Sequence, residues 1–181
     1  MDTSMMEYTA EDLIAHKLTR SKILIAKPKF DQEGADLLAL LEVKDGAKFC
    51  RIQCKGRSLL DSSKRTSVTV PQDYVTDGFI LLLFIEMGEW EETTQLFCFL
   101  GDEIRSKWHL NNKKYRLTVT KNKLEKELKE FRFNSQRIQQ IEIVIRNVDV
   151  KTEFNKMVYG KLNVVLDSIT TSGAAVDMTK S

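Results

Sequence analysis

Apolar positions recur along this chain with two periods, one near 3.6 and one of two, and the changes between them mark its elements. Ile14 and Leu18 form a helical stripe over residues 10–21, with Glu11 on the same face. Tyr8, Thr9, Asp12 and Leu13 fit a capping box and hydrophobic staple at its start. Lys22–Ala26 is a short apolar strand stopped by Pro28. Asp36–Val43 and Lys48–Lys55 flank Asp45-Gly46, a pair that predicts a hairpin with a two-residue turn. Ser58–Thr66 reads as a polar loop. Gly78–Met87 is a buried strand, Thr93–Leu100 its partner, and the acidic Gly88–Glu92 the turn between them. Asp102–Trp108 fits a short helix and Tyr115–Val119 a strand. Asn122 and Glu125 fit a capping box ahead of a helix bearing Leu124, Leu128 and Phe131. Ile138, Ile141, Ile145 and Val148 fit a helix, whereas Glu142–Arg146 alone fits a strand. Phe154, Val158, Leu162, Val165 and Ile169 are spaced for a C-terminal helix interrupted at Gly160, and Thr170–Ser181 reads as a loose tail.

Composition narrows the class. At 181 residues, 42% hydrophobic and 30% charged, the chain is of ordinary globular make-up and of a length for one domain. The longest apolar run, Phe79–Ile85, is far short of the ~20 residues that span a bilayer. Residues 1–10 hold Asp2 and Glu7 and no base, unlike a secretory signal or transit peptide. Cys50, Cys54 and Cys98 lack a CxxC spacing, so neither a disulfide framework nor a zinc cluster is expected, and the cytoplasm is the expected setting.

Charge is balanced overall, at +2, and uneven locally. Lys44, Lys48, Arg51, Lys55, Arg57, Lys64 and Arg65 stand in a stretch whose only acids are Asp45 and Asp61. Arg105–Arg116 has five bases and no acid, and Glu86–Glu103 the reverse with six acids. Such blocks are either solvated rims or a face for a phosphate backbone.

The hairpin gathers the chemistry. With Asp45-Gly46 as the turn, Leu38 faces Gln53 and Asp36 faces Lys55. Side chains alternate, so Leu37, Ala39, Leu41, Cys50, Ile52 and Cys54 share one apolar face. Asp36, Gln53 and Lys55 meet at the far end of the other, with opposed Cβ atoms about 5 Å apart. A carboxylate and a carboxamide oxygen are hard donors, and magnesium is content with few protein ligands. A lysine beside them can hold or deprotonate a water or stabilise developing negative charge. Glu11 can complete such a site directly or through a water. The plainer alternative is a cross-strand ion pair between Asp36 and Lys55 with Gln53 as polar filler.

The succession of a helix with Glu11, Gly34-Ala35-Asp36-Leu37-Leu38-Ala39, Ile52-Gln53-Cys54-Lys55, Val68–Tyr74 and the strand Phe79–Ile85 resembles the PD-(D/E)xK nuclease-like superfamily. The resemblance covers roughly residues 7–120. It is closest to bacterial and archaeal members with glutamine at the second acid position, one homing-endonuclease type among them. Ala35 stands where these proteins often have proline. The resemblance implies an α/β (α+β) fold, a mixed β-sheet core flanked by helices. The nuclease-like core would occupy residues 1–133, a helical C-terminal extension packed on it 134–170, and a flexible tail 171–181. It implies magnesium- or manganese-dependent hydrolysis of DNA phosphodiesters. The metal would be held by Asp36, Gln53, the main-chain carbonyl of Cys54, and Glu11. Glu11, Asp36, Gln53 and Lys55 would be the catalytic set.

Ser58, Lys64 and Arg65, on the loop after this site, either touch phosphates or are solvated. Gln72 and Tyr74, after Pro71, are further candidates for contact with the nucleic acid. His16 and His109 lack partners at a metal or triad spacing, and no GxSxG, Walker-type or GxGxxG motif occurs. Beside a metal-free interaction protein unrelated to nucleases, two functions remain open: a metal-dependent endonuclease on DNA, with RNA as the other substrate, or a catalytically silent subunit of the same fold. In the second, the helical C-terminal third would mediate assembly, and association into homo-oligomers fits either reading.

Overall fold

The structure, a computed structural model, describes residues 3–28, 34–44, 46–59, 65–88 and 94–159. Helix α1 (Thr3–Arg20) precedes β1 (Leu24–Ala26), β2 (Leu37–Val43) and β3 (Gly46–Ser58). After β4 (Thr66–Pro71) and a 3₁₀ turn at Gln72–Tyr74 come β5 (Phe79–Glu86) and β6 (Thr94–Leu100). Helix α2 (Gly101–Lys107), strands β7 (His109–Asn111) and β8 (Lys114–Val119), and α3 (Lys121–Lys126) follow. Helices α4 (Ser135–Asn147) and α5 (Val150–Tyr159) close the described chain. No helix among the described residues is long and apolar enough to cross a membrane.

The strands form two sheets. A mixed sheet runs β1-β2-β3-β5-β6, with β3 and β5 parallel and the other pairs antiparallel. A smaller antiparallel sheet runs β4-β8-β7. Every residue of Phe79–Ile85 is buried, because both faces of β5 are covered. Phe79, Leu81, Leu83 and Ile85 pack with Val68, Val70, Leu117 and Val119 of the small sheet. Ile80, Leu82, Cys50, Ile52 and Cys54 pack against Ile14 and Leu18 of α1 and Ile141 and Ile145 of α4. Burial of each large apolar side chain contributes about 1.5–3 kcal/mol.

Several expectations need correction. Helix α1 starts well before residue 10, so Thr9 and Asp12 lie inside it instead of at its start. Nothing between Thr3 and Thr9 breaks a helix, neither Gly nor Pro. Thr120, not Asn122, caps α3, its hydroxyl accepting the Lys123 N–H at 3.2 Å. Residues 135–147 are helical, and Asn134 caps them by accepting the Arg137 N–H at 3.0 Å. Strand β3 continues to Ser58, so that residue ends a strand instead of opening a loop. The hairpin register is shifted: Val43 faces Gly46 and Leu37 faces Ile52. One step beyond the last pair, Asp36 stands level with Gln53 instead of Lys55. A slip by two residues leaves every side chain on its face, so the alternating pattern fits both registers equally. The expected turn at 88–92 and the C-terminal helix beyond Tyr159 fall largely or wholly outside the described residues.

Candidate metal and nucleic-acid site

Alternation along β3 sends Arg51, Gln53 and Lys55 toward the small sheet, in step with Phe79, Leu81 and Leu83 of β5. Ile52 and Cys54 face the helices. Where β2 begins, Asp36 joins the sheet by two bonds. Its N–H donates to the Ile52 carbonyl at 2.9 Å, and its Oδ2 accepts the Cys54 N–H at 2.6 Å. The carboxylate is thereby held at the end of the ladder. Among the described residues, no ion pair joins Asp36 to Lys55, so the cross-strand pair offered by the plainer reading is not formed.

Gln53 is 6% exposed, and its Oε1 is buried without a hydrogen-bond partner among the described residues. Leaving such an acceptor unmade costs about 1–3 kcal/mol. Its Nε2 lies over Gly34. A Cβ at Gly34 would come within 2.8 Å of that nitrogen and 2.5 Å of the Tyr74 ring. Gly34 also has φ +67°, in the left-handed region. Only glycine serves there, and the Tyr74 ring and the Gln53 amide close over it.

Glu11 comes from α1 and pairs with Lys27 Nζ, just past β1. Burial and nearby charges both act on the Cys54 thiol. Burial pushes it well above the usual thiol range, the Asp36 and Glu11 carboxylates add to the rise, and the Lys55 and Lys27 ammoniums oppose it. Among the described residues, no three His, Cys, Asp or Glu side chains gather tightly enough to ligate a metal by themselves. The hard oxygen donors at this strand end are sparser: the Asp36 carboxylate, anchored on the Cys54 N–H, and the Gln53 carboxamide oxygen. Magnesium accepts such a set because it keeps several waters.

The flanking candidates are less concentrated. Ser58 ends β3 opposite Glu86, and Arg65 is exposed just before β4. Lys64 lies outside the described residues. Gln72 is exposed in the 3₁₀ turn, and its N–H donates to the Lys113 carbonyl at 2.8 Å. A cleft of about 390 Å³ between α2 and α4, lined by Leu100, Arg105, Gln140 and Val144, includes none of these residues.

Two residues behind the site escape the sequence reading. Arg51 is fully buried, donating to Glu153 Oε2 at 2.7 Å, the Tyr74 carbonyl at 2.9 Å and Thr76 Oγ1 at 3.0 Å. Glu153, on α5, is 1% exposed. An arginine between Cys50 and Ile52 in a central strand is the signal for such a pair, because a buried guanidinium needs an anion. Its partner lies too far along the chain for any local pattern to identify it.

No family model matches the sequence, and no curated protein matches it. Solved structures do. The chain is similar to a bacterial homing endonuclease, I-Ssp6803I, with a TM-score of 0.53 at 12% identity over 78% of this chain and 93% of that one. It is also similar to Archaeoglobus fulgidus Hjc, a Holliday junction resolvase from an archaeal hyperthermophile. There the TM-score is 0.44 at 8% identity, over 74% and 95% of the two chains. At such identities the likeness is one of fold. The chain has the restriction-endonuclease-like fold implied by its strand and motif order.

Proposed function

We propose that this protein is a divalent-metal-dependent nuclease that hydrolyses phosphodiester bonds in DNA. The observation that carries the reading is the buried Gln53 Oε1, without a hydrogen-bond partner among the described residues, on the residue level in register with Asp36, whose carboxylate accepts the Cys54 N–H. Asp36, Gln53 and the main-chain carbonyl of Cys54 would hold magnesium or manganese, with Glu11 joining directly or through a water. Bound there, the cation would supply Lewis acidity toward a phosphate oxygen. Asp36 binds and orients, and its backbone bonds keep it from swinging away. Lys55, on the same face as Gln53, orients the attacking water and offsets negative charge gathering on the phosphate. The fold likeness to a homing endonuclease supports this reading at the level of architecture.

The test is cleavage of plasmid, single-stranded DNA and RNA with magnesium, with manganese and with EDTA. The reading expects metal-dependent cleavage of DNA, abolished in Asp36→Asn and Lys55→Ala while both variants stay folded. It expects Gln53→Glu to lower the metal concentration required, because a second anion binds the cation more strongly. Cleavage that persists in both loss variants, or none with either metal, overturns it. The second outcome would leave a silent member of the fold.

A further inference from the structure

The small sheet has an inner face in the core and an outer face toward solvent. On β8, Tyr115, Leu117 and Val119 point inward, and Lys114, Arg116 and Thr118 are exposed. The register sets Ser67 and Thr69 of β4 beside Thr118 and Arg116. It sets His109 and Asn111 of β7 on their other side, beside Arg116 and Lys114. None of these outward positions is acidic. Asp73 follows in the 3₁₀ turn, past the last pair of the ladder.

The turn joining β7 to β8 adds charge at its tip. Asn111 pairs with Lys114, leaving Asn112 and Lys113 as the two turn residues, at φ +49° and +58°. Positive φ at both positions is the type I′ geometry, in which the second is ordinarily glycine. A lysine is held there against its backbone preference, and strain of that kind concentrates at binding sites. The tip is tied to the candidate site. Lys113 accepts the Gln72 N–H, and Gln72 opens the turn that brings the Tyr74 ring over Gly34 and Gln53. The β7–β8 tip, at one end of the cationic face, is thus joined through the Gln72–Tyr74 turn to the residues that close over the candidate site.

We propose that this outer face, with Lys113, Lys114 and Arg116 as its anchors, docks the phosphate backbone of duplex DNA and leads it to Asp36 and Gln53. The inference deepens the nuclease reading and rests on it for the choice of DNA. Charge complementarity selects the partner. Lysine and arginine bind phosphates, serine and threonine donate to phosphate oxygens, and an acid-free face repels no strand.

Binding of the full-length chain to a short fluorescein-labelled duplex, followed by anisotropy in EDTA over a range of salt, tests this without metal or cleavage. The variant is Lys113→Gln with Lys114→Gln and Arg116→Gln. Three lost phosphate contacts should reduce the slope of log affinity against log salt by about 2.7, and weaken binding about tenfold or more at physiological salt. Lys17→Gln with Arg20→Gln, on α1 across the main sheet, should leave both unchanged. A wild-type slope in the triple variant, an equal loss in the α1 variant, or tighter binding of RNA than of duplex DNA overturns the proposal. An unchanged melting temperature in the triple variant excludes misfolding as the cause, and single Lys114→Gln and Arg116→Gln variants give the answer if the triple melts early. Failure of the nuclease reading looks different: the duplex still binds with the predicted salt slope, and no DNA is cut with either metal.

Discussion

Glu153→Gln should be among the most damaging single substitutions in this protein. The Glu153 and Arg51 side chains are 1% and 0% exposed, and their bond is 2.7 Å long. A buried pair gains little net energy over an apolar pair of the same shape, but removal of one partner strands the other charge. That loss is about 3–5 kcal/mol. The amide keeps the shape and one acceptor oxygen, so the change isolates charge from packing. At about 2–4 °C per kcal/mol for a chain of this size, the melting temperature should fall by roughly 6–20 °C. Arg51 also holds the Tyr74 carbonyl and Thr76 Oγ1, so the Tyr74 ring should loosen over Gln53 at temperatures where the variant remains folded. Thermal denaturation by circular dichroism reads the first effect, and Tyr74 ring resonances the second. The double variant Arg51→Met, Glu153→Leu should recover most of the loss. A fall below about 1 kcal/mol in Glu153→Gln, or a double variant no better than the single, would refute the account of this pair.

Gly34→Ala should distort the candidate site more than the bulk of the fold, because its Cβ meets the Tyr74 ring and the Gln53 amide at a left-handed backbone position. Metal affinity by calorimetry should drop more steeply than stability does. All three thiols should be inert to a thiol reagent at about pH 8 in the native protein and react on unfolding. Burial is the first cause in each, with the Cys98 thiol pushed up to about 12 and those of Cys50 and Cys54 also raised. Asp149 tests the entry to α5. Its carboxylate is held below the ordinary 3.8 chiefly by the Thr152 hydroxyl, aided by the N–H groups of Lys151 and Thr152. A depressed carboxylate stabilises the fold above its ordinary value, and the effect is lost as pH falls through the lower folded one. The gap in melting temperature between wild type and Asp149→Ala should be full near neutrality and close on acidification below the carboxylate range.

The sequence showed which strand face carries the candidate residues and left their arrangement to the fold. Asp36, Gln53 and Lys55 share a face because side chains alternate, and that survives any even slip of register. For the same reason the slip itself was invisible: burial of Leu37, Ala39, Cys50 and Ile52 is satisfied either way. The competing helix and strand readings of residues 138–148 were separated only by Asn134 and by the seat that Ile141 and Ile145 find against β3. Strand β7 is three residues long with all three exposed, so it carries no apolar period. The small sheet's role as an outer layer therefore has no local signature. Tyr74 could be suspected from its neighbours, but its place over Gly34 depends on a bond from Arg51. That bond in turn depends on Glu153 at the other end of the chain.

A crystal grown with manganese, with data collected at the metal's absorption edge, addresses the metal site head on. The account predicts an anomalous peak in contact with the Asp36 carboxylate and Gln53 Oε1, at about the 2.0–2.2 Å typical of a small divalent cation on oxygen. An ordered Asp36 and Gln53 with no peak between them, or manganese bound elsewhere only, would contradict it.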